Sequence, residues 1–203
     1  MPKKTRKAPS RGYSDRKVET RKLRQRFLII CEGEKTEPNY FKSFRVPRNV
    51  VSVDVRGFGY NPSLLVETAK ELSSQEKYDQ VWCVFDRDDC PKQDFNNAIA
   101  NANKAGFKVA YSNEAFELWY VLHFQLLNTG LPRQDYIPKL NKFLKNKYKK
   151  NSDSIYEELE HLQATAIKHA TNLLNLYNPH KPESDNPCTT VHKLVEELNK
   201  YIR

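Results

Sequence analysis

Glycine is scarce in this sequence, with six in 203 residues. None stands in the Gly-x-x-x-x-Gly-Lys-Ser/Thr order that wraps a nucleotide phosphate, which excludes a P-loop enzyme. Long apolar runs are missing too. The longest near the N-terminus, residues 27–31, spans five residues, against about 7–15 for a signal peptide and about 20 for a membrane helix. A soluble, cytoplasmic protein with no membrane association is the expectation. The four cysteines, Cys31, Cys83, Cys90 and Cys188, include no Cys-x-x-Cys pair and no zinc-type spacing. Cys31 and Cys83 lie inside apolar runs and read as small core residues in a reducing compartment. No Ser or Cys stands in a recognisable nucleophile arrangement with His and Asp.

What is present is charge, unevenly placed. Eleven of the 34 Lys and Arg, and two of the 25 Asp and Glu, lie in residues 1–26. That segment carries the whole net charge of +9, and the remainder is neutral. Its apolar residues are too sparse for a core, so 1–26 is expected to be a basic, flexible tail. It would either keep the protein soluble or act as an arm for phosphates or an acidic partner.

From residue 27 the chain alternates. Residues 27–31 and 80–85 are continuous apolar, β-prone runs, as expected for strands buried on both faces. Val51, Val53 and Val55 alternate with polar residues, which suits a half-exposed strand near a sheet edge. Residues 107–111 form a fourth short strand. Between them lie helical stretches: one starting at Glu37 with Thr36 as cap, one over 63–76, a weaker one over 93–105, and an apolar one over 114–127. Strands alternating with helices predict an α/β fold, a parallel sheet of about four strands covered by helices on both faces. Residues 27–128 would form this core. Residues 129–203 read as a helical extension packed on it, with a lysine-rich amphipathic helix over 138–150, a helix over 156–176, and a last helix capped by Thr189 or Thr190.

Two acidic clusters stand where such a sheet binds ligands, beyond the carboxyl ends of its strands. Glu32 follows the first buried strand. Asp86-Arg87-Asp88-Asp89 follows the second. If the two strands are neighbours, Glu32, Asp86 and Asp88 converge. Carboxylates that close repel and raise one another's pKa, and a hard divalent cation removes the penalty. Such a site polarises a phosphodiester and activates water. The plainer alternative is that Asp88 or Asp89 caps the next helix.

At this point the residues resemble a family. Leu28-Ile-Ile-Cys-Glu-Gly-Glu-Lys-Thr-Glu-Pro-Asn-Tyr-Phe41, Val84-Phe-Asp-Arg-Asp-Asp89 and Ser112-Asn-Glu-Ala-Phe-Glu-Leu-Trp-Tyr-Val-Leu-His-Phe124 are similar, in order, to three motifs of RloB-like proteins, a branch of the Toprim superfamily. Asn186-Pro-Cys-Thr-Thr-Val-His-Lys-Leu-Val195 is similar to a C-terminal block. The resemblance implies a Toprim-type core and Mg²⁺- or Mn²⁺-dependent phosphodiester chemistry. It gives Glu32 the role of general acid/base, and Asp86 and Asp88 that of metal ligands. It also implies a nuclease effector of prokaryotic anti-phage defence, acting on DNA or RNA (tRNA included), often encoded beside an ATPase partner. Asn113-Glu114 departs from the commoner Asn-Pro of the third motif.

Several further residues have two readings each. Lys35 could reach a phosphate or be a solvated lysine. Glu37 reads as first-turn charge complementing a helix dipole. Glu117 would be a further metal ligand or a water-orienting base, since a buried helix rarely carries a free Glu. His123 is either a core histidine or an accessory proton-transfer group. Asp89 is a possible accessory acid. Arg87, Lys142, Lys145 and Lys149 are the candidates for nucleic-acid contact, against a solvated helix face. Three functions follow: a metal-dependent endonuclease, able to form a homo-oligomer; a phosphatase with Asp86 as nucleophile, which leaves Glu32 unexplained; and a non-catalytic interaction subunit of a defence ATPase complex.

Overall fold

The computed structural model describes residues 24–202. The tail expected over 1–26 lies outside them except for its last three residues, two of which already belong to the first strand. Strand β1 is Gln25–Cys31, and its residues alternate between two core layers. Phe27, Ile29 and Cys31 enter one layer, Leu28 and Ile30 the other, and all five are fully buried. Strand β3, Gln80–Asp86, repeats this, with Trp82 and Val84 on one face and Cys83 and Phe85 on the other. A run apolar on both faces is thus explained by a sheet covered on both faces.

Strands β2 (Val51–Gly57) and β4 (Lys108–Asn113) complete the parallel part. The order is β2-β1-β3-β4-β5, so β2 lies at the edge, as its half-polar alternation predicts. Helices α2 (Pro62–Gln75) and α3 (Lys92–Lys104) bury Leu65, Val66, Ala69, Phe95, Ala98 and Ala102 on one face. Asn61 caps α2, its side chain accepting from the Leu64 amide at 2.9 Å, with Pro62 in the first turn. The other face carries α1 (Thr36–Lys42), α4 (Glu117–Leu122) and the helices of the extension, α5 (Tyr136–Leu140), α6 (Ile155–Leu159), α7 (Gln163–Asn175) and α8 (Val191–Asn199). The chain leaves β1 toward β2 and returns across it to β3. The switch point of the sheet therefore falls between the carboxyl ends of β1 and β3.

The structure corrects five expectations. A fifth strand, Cys188–Thr189, pairs antiparallel to β4; two residues carry no readable period. The 138–150 helix ends at Leu140. Beyond it the Asn141 side chain accepts from the Tyr148 amide at 2.6 Å and closes a loop, and six lysines without an acid gain nothing from being stacked on one helix. The 114–127 helix is only α4: residues 114–116 form a bend and a turn before it, and it ends at Leu122. The 156–176 helix is broken by a 3-10 turn at Glu160–Leu162. Finally, the predicted Thr36 cap does not form, and of the pair before α8 only Thr189 meets a helix amide, its hydroxyl accepting from Val191 at 3.2 Å. Thr36 is already helical, and its hydroxyl donates to the Asn151 side chain at 3.2 Å. Thr190 holds the Tyr111 amide at 2.9 Å instead of capping α8.

Candidate active site

Glu32 follows β1 directly, and its amide donates to the Val84 carbonyl at 2.8 Å, extending the β1–β3 ladder by one residue. Its carboxylate turns back on the neighbouring strand: Oε2 accepts from the Asp86 amide at 2.9 Å. Asp86 ends β3 and is buried, with Oδ2 accepting from the Phe116 amide at 3.2 Å. Glu117 opens α4, buried, and its Oε1 accepts from the Tyr148 hydroxyl at 3.1 Å. Glu37 in the first turn of α1 is buried as well, and its Oε2 has no hydrogen-bond partner. The residue over which that carboxylate folds is Gly33. A Cβ on Gly33 would stand 2.1 Å from Glu37 Oε2, so only glycine lets the acid tuck in.

These acids perturb one another. Burial pushes the Glu32 carboxyl up to about 7, aided by the charges of Asp88 and Glu37, while its bond from the Asp86 amide pulls the other way. Asp86 is raised well above the usual carboxylate range, first by burial, then by Glu37, Glu117 and Glu32. Glu37 is raised by burial and by Glu117. The counter-charges are Arg133, which pairs with Asp88 and lowers Glu32, Glu37 and Asp86 electrostatically, and Lys150, which lowers Glu37 more strongly than Arg133 does. A cavity of about 300 Å³ lies among Glu37, Asp86, Glu117, Arg133, Lys35 and Lys150.

The predicted site is thus partly redistributed. Glu32 and Asp86 come together at the switch point, and Glu117 and Lys35 join Asp86 around the cavity. Asp88 lies past the end of β3 and pairs with Arg133, which lines the cavity, and its charge still acts on Glu32. Among the described residues no three acid, His or Cys side chains are disposed to share one ion. Asp89 is exposed. Arg87 is spent on backbone carbonyls, those of Glu183 at 3.1 Å, Asp88 at 2.9 Å and Cys90. His123 is buried away from the cavity, with Nδ1 against the Trp119 carbonyl at 2.9 Å. Lys142, Lys145 and Lys149 are exposed, on a loop and not on a helix face.

Sequence reasoning missed Glu37 as a site acid, read Tyr148 only as a packing residue, and missed Arg133 altogether. Glu37 carried a signal, since Gly33 stands four residues before it. Arg133 carried none; it sits in a 3-10 turn after Pro132, without period or motif.

An acidic cavity at the switch point of a mostly parallel, doubly covered sheet defines an α/β protein with a polar ligand site. Residues 27–198 match the family of RloB-like proteins. The chain belongs to that family. No curated protein and no solved structure matches it.

Proposed function

We propose that the protein is a metal-dependent nuclease of Toprim type, hydrolysing phosphodiester bonds of DNA or RNA with Mg²⁺ or Mn²⁺. The observation that carries this is the pairing of Glu32 and Asp86. The Glu32 carboxylate, at the end of one buried strand, accepts from the backbone amide of Asp86 on the neighbouring strand at 2.9 Å, and burial raises Glu32 to about 7.

The donor set fits a hard cation. The acids are buried beyond what Arg133 and Lys150 neutralise, and Glu37 Oε2 is an acceptor with nothing to accept. Mg²⁺ needs only one or two protein carboxylates, taking its other ligands from water and phosphate. Asp86 would hold it, with Glu117 or Glu37 assisting, which leaves Glu32 beside it for the proton. When bound, the ion would polarise the phosphodiester and lower the pKa of a water. The remaining work falls to the chain. Glu32, titrating near neutrality, can take a proton at its carboxylate and return it. Arg133 offers a forked donor to phosphate oxygens once it leaves Asp88. Lys35 and Lys150, exposed at the cavity rim, draw in a polyanion. A role as a defence effector, working beside an ATPase, fits such an activity.

The test is cleavage of supercoiled DNA and of total tRNA by purified protein with Mg²⁺ or Mn²⁺. Glu32→Ala and Asp86→Asn are expected to lose at least 100-fold in rate, about the contribution of one acid/base group. Full activity in either variant rules the site out. A second reading, a non-catalytic subunit of an ATPase complex, is favoured by one observation, the lack of three convergent ligands among the described residues. It predicts no Mg²⁺ or Mn²⁺ binding in titration calorimetry.

A further inference from the structure

The acidic cavity does not end at its rim. It shares Lys150 and Asn151 with a second cavity of about 670 Å³. The second shares Leu144, Ser154 and Glu158 with a third, of about 440 Å³. The three lie in a row from the carboxylates across the loop after α5, each sharing wall residues with the next, and together they line one face as a groove.

Its middle stretch carries Lys147, Lys149 and Lys150, all exposed, and among the described residues none of them has an ion-pair partner. The backbone beneath them is pinned. Asn141 holds the Tyr148 amide, and the Asn39 amide group donates to the Asn151 carbonyl at 3.2 Å and to Asp153 at 2.7 Å. Tyr148 is tied to Glu117 of the acidic cavity itself. At the far end Phe143 stacks on Phe124, with centroids 5.0 Å apart and planes 8° from parallel, and Phe143 keeps 36% of its surface exposed. A row of unpaired ammonium groups leading to an exposed aromatic face suits a strand with unpaired bases, the phosphates on the lysines and a base on the ring. A duplex suits it poorly, because its bases are already stacked inside and none is free for the ring.

We propose that this groove seats a single-stranded stretch of nucleic acid, with phosphates along Lys150, Lys149, Lys147 and Lys145 and one base stacked on Phe143. The proposal rests on the nuclease reading for the chemistry at the acidic end and adds the substrate class: unpaired strands or loops.

The test is fluorescence anisotropy of the full chain in EDTA with labelled 12-mers, oligo-U, oligo-dT and a duplex of equal length. The single strands are expected to bind at least 10-fold tighter than the duplex. Phe143→Ala is expected to weaken single-strand binding about 10-fold, the worth of one stacked base. Joint Lys147→Glu and Lys149→Glu substitution is expected to weaken it further and to flatten the salt dependence by about 1.4 in log–log slope. Lys104→Glu, exposed on α3, is expected to leave it unchanged. Because the loop lysines are exposed, their variants fold, which circular dichroism checks. Equal affinity for duplex, or single-strand binding indifferent to Phe143 and to the lysine pair, overturns the groove. Groove-dependent binding without any cleavage under Mg²⁺ supports the groove and removes the hydrolytic reading. Cleavage in a Phe143→Ala variant that binds single strands as well as wild type overturns the groove and leaves the carboxylate site standing.

Discussion

Arg133 is the residue on which the charge balance of the acidic cavity turns. It pairs with Asp88 and faces Asp86 and Glu117, so the isolated protein already contains a cation among its acids. A divalent ion and this guanidinium compete for the same negative field. Arg133→Ala is therefore expected to lower the melting temperature in EDTA, to enlarge the stabilisation given by Mg²⁺, and to lower cleavage. Thermal melts with and without Mg²⁺ check the first two; an unchanged Mg²⁺ response would refute the competition. Glu32 and Asp86 were legible in the sequence because each directly follows an unmistakable apolar run. Arg133 was not, since nothing in its neighbours foretells a fold that brings it 45 positions back to Asp88. Glu37 was misjudged for a different reason. First-turn glutamates normally face water and serve the helix dipole, whereas this one is buried over Gly33.

Among the elements, the shortest strand has the densest polar network. Thr189 of β5 shares a bond with the Ser112 hydroxyl at 3.0 Å, donates to the Tyr111 carbonyl at 3.0 Å and accepts from the Val191 amide at 3.2 Å. Thr189→Val keeps the shape and loses these bonds inside a buried clip. A destabilisation of about 1–3 kcal/mol is expected from urea unfolding, and a loss below 0.5 kcal/mol would show that the clip contributes little. This strand was invisible in the sequence because two residues are too few to show an alternation. The lysine-rich segment shows the converse. Leu140, Leu144 and Tyr148 have helical spacing, yet Tyr148 is buried by a loop, held at its amide by Asn141 and at its hydroxyl by Glu117. Strands β1 and β3 were plain because burial on both faces leaves no polar position to blur them.

At the scale of the molecule, buried ionisable groups set opposing pH trends. Burial lowers His123 and His192 to about 4, while an unfolded histidine titrates near 6.5. As pH falls below about 6.5 the unfolded chain takes up protons that the folded chain refuses, so these two groups cost stability progressively down to about 4. Their imidazole NMR signals are expected to stay flat from pH 8 to 5.5; titration above pH 6 would contradict their burial. Glu32 has the other sign. Its folded value of about 7 exceeds the unfolded value near 4.3. The folded chain holds that proton longer, so its contribution is full below about pH 4.3 and is lost as pH rises through 7. Glu32→Gln should therefore match wild type near pH 4 and exceed it by up to about 3 kcal/mol at pH 8, measured by denaturation without metal.

No described helix is long and apolar enough to cross a membrane. One apolar layer runs unbroken from Phe27 of the sheet to Leu198 of the last helix. The walls of the acidic cavity are equally mixed in origin: Glu37, Asp86 and Glu117 come from before residue 128, and Arg133, Lys150 and Asn151 from after it. The two stretches are therefore not interchangeable modules. A protease nick or a gene truncation near position 128 would split the acidic cavity down its middle, and neither fragment on its own would keep all of its walls.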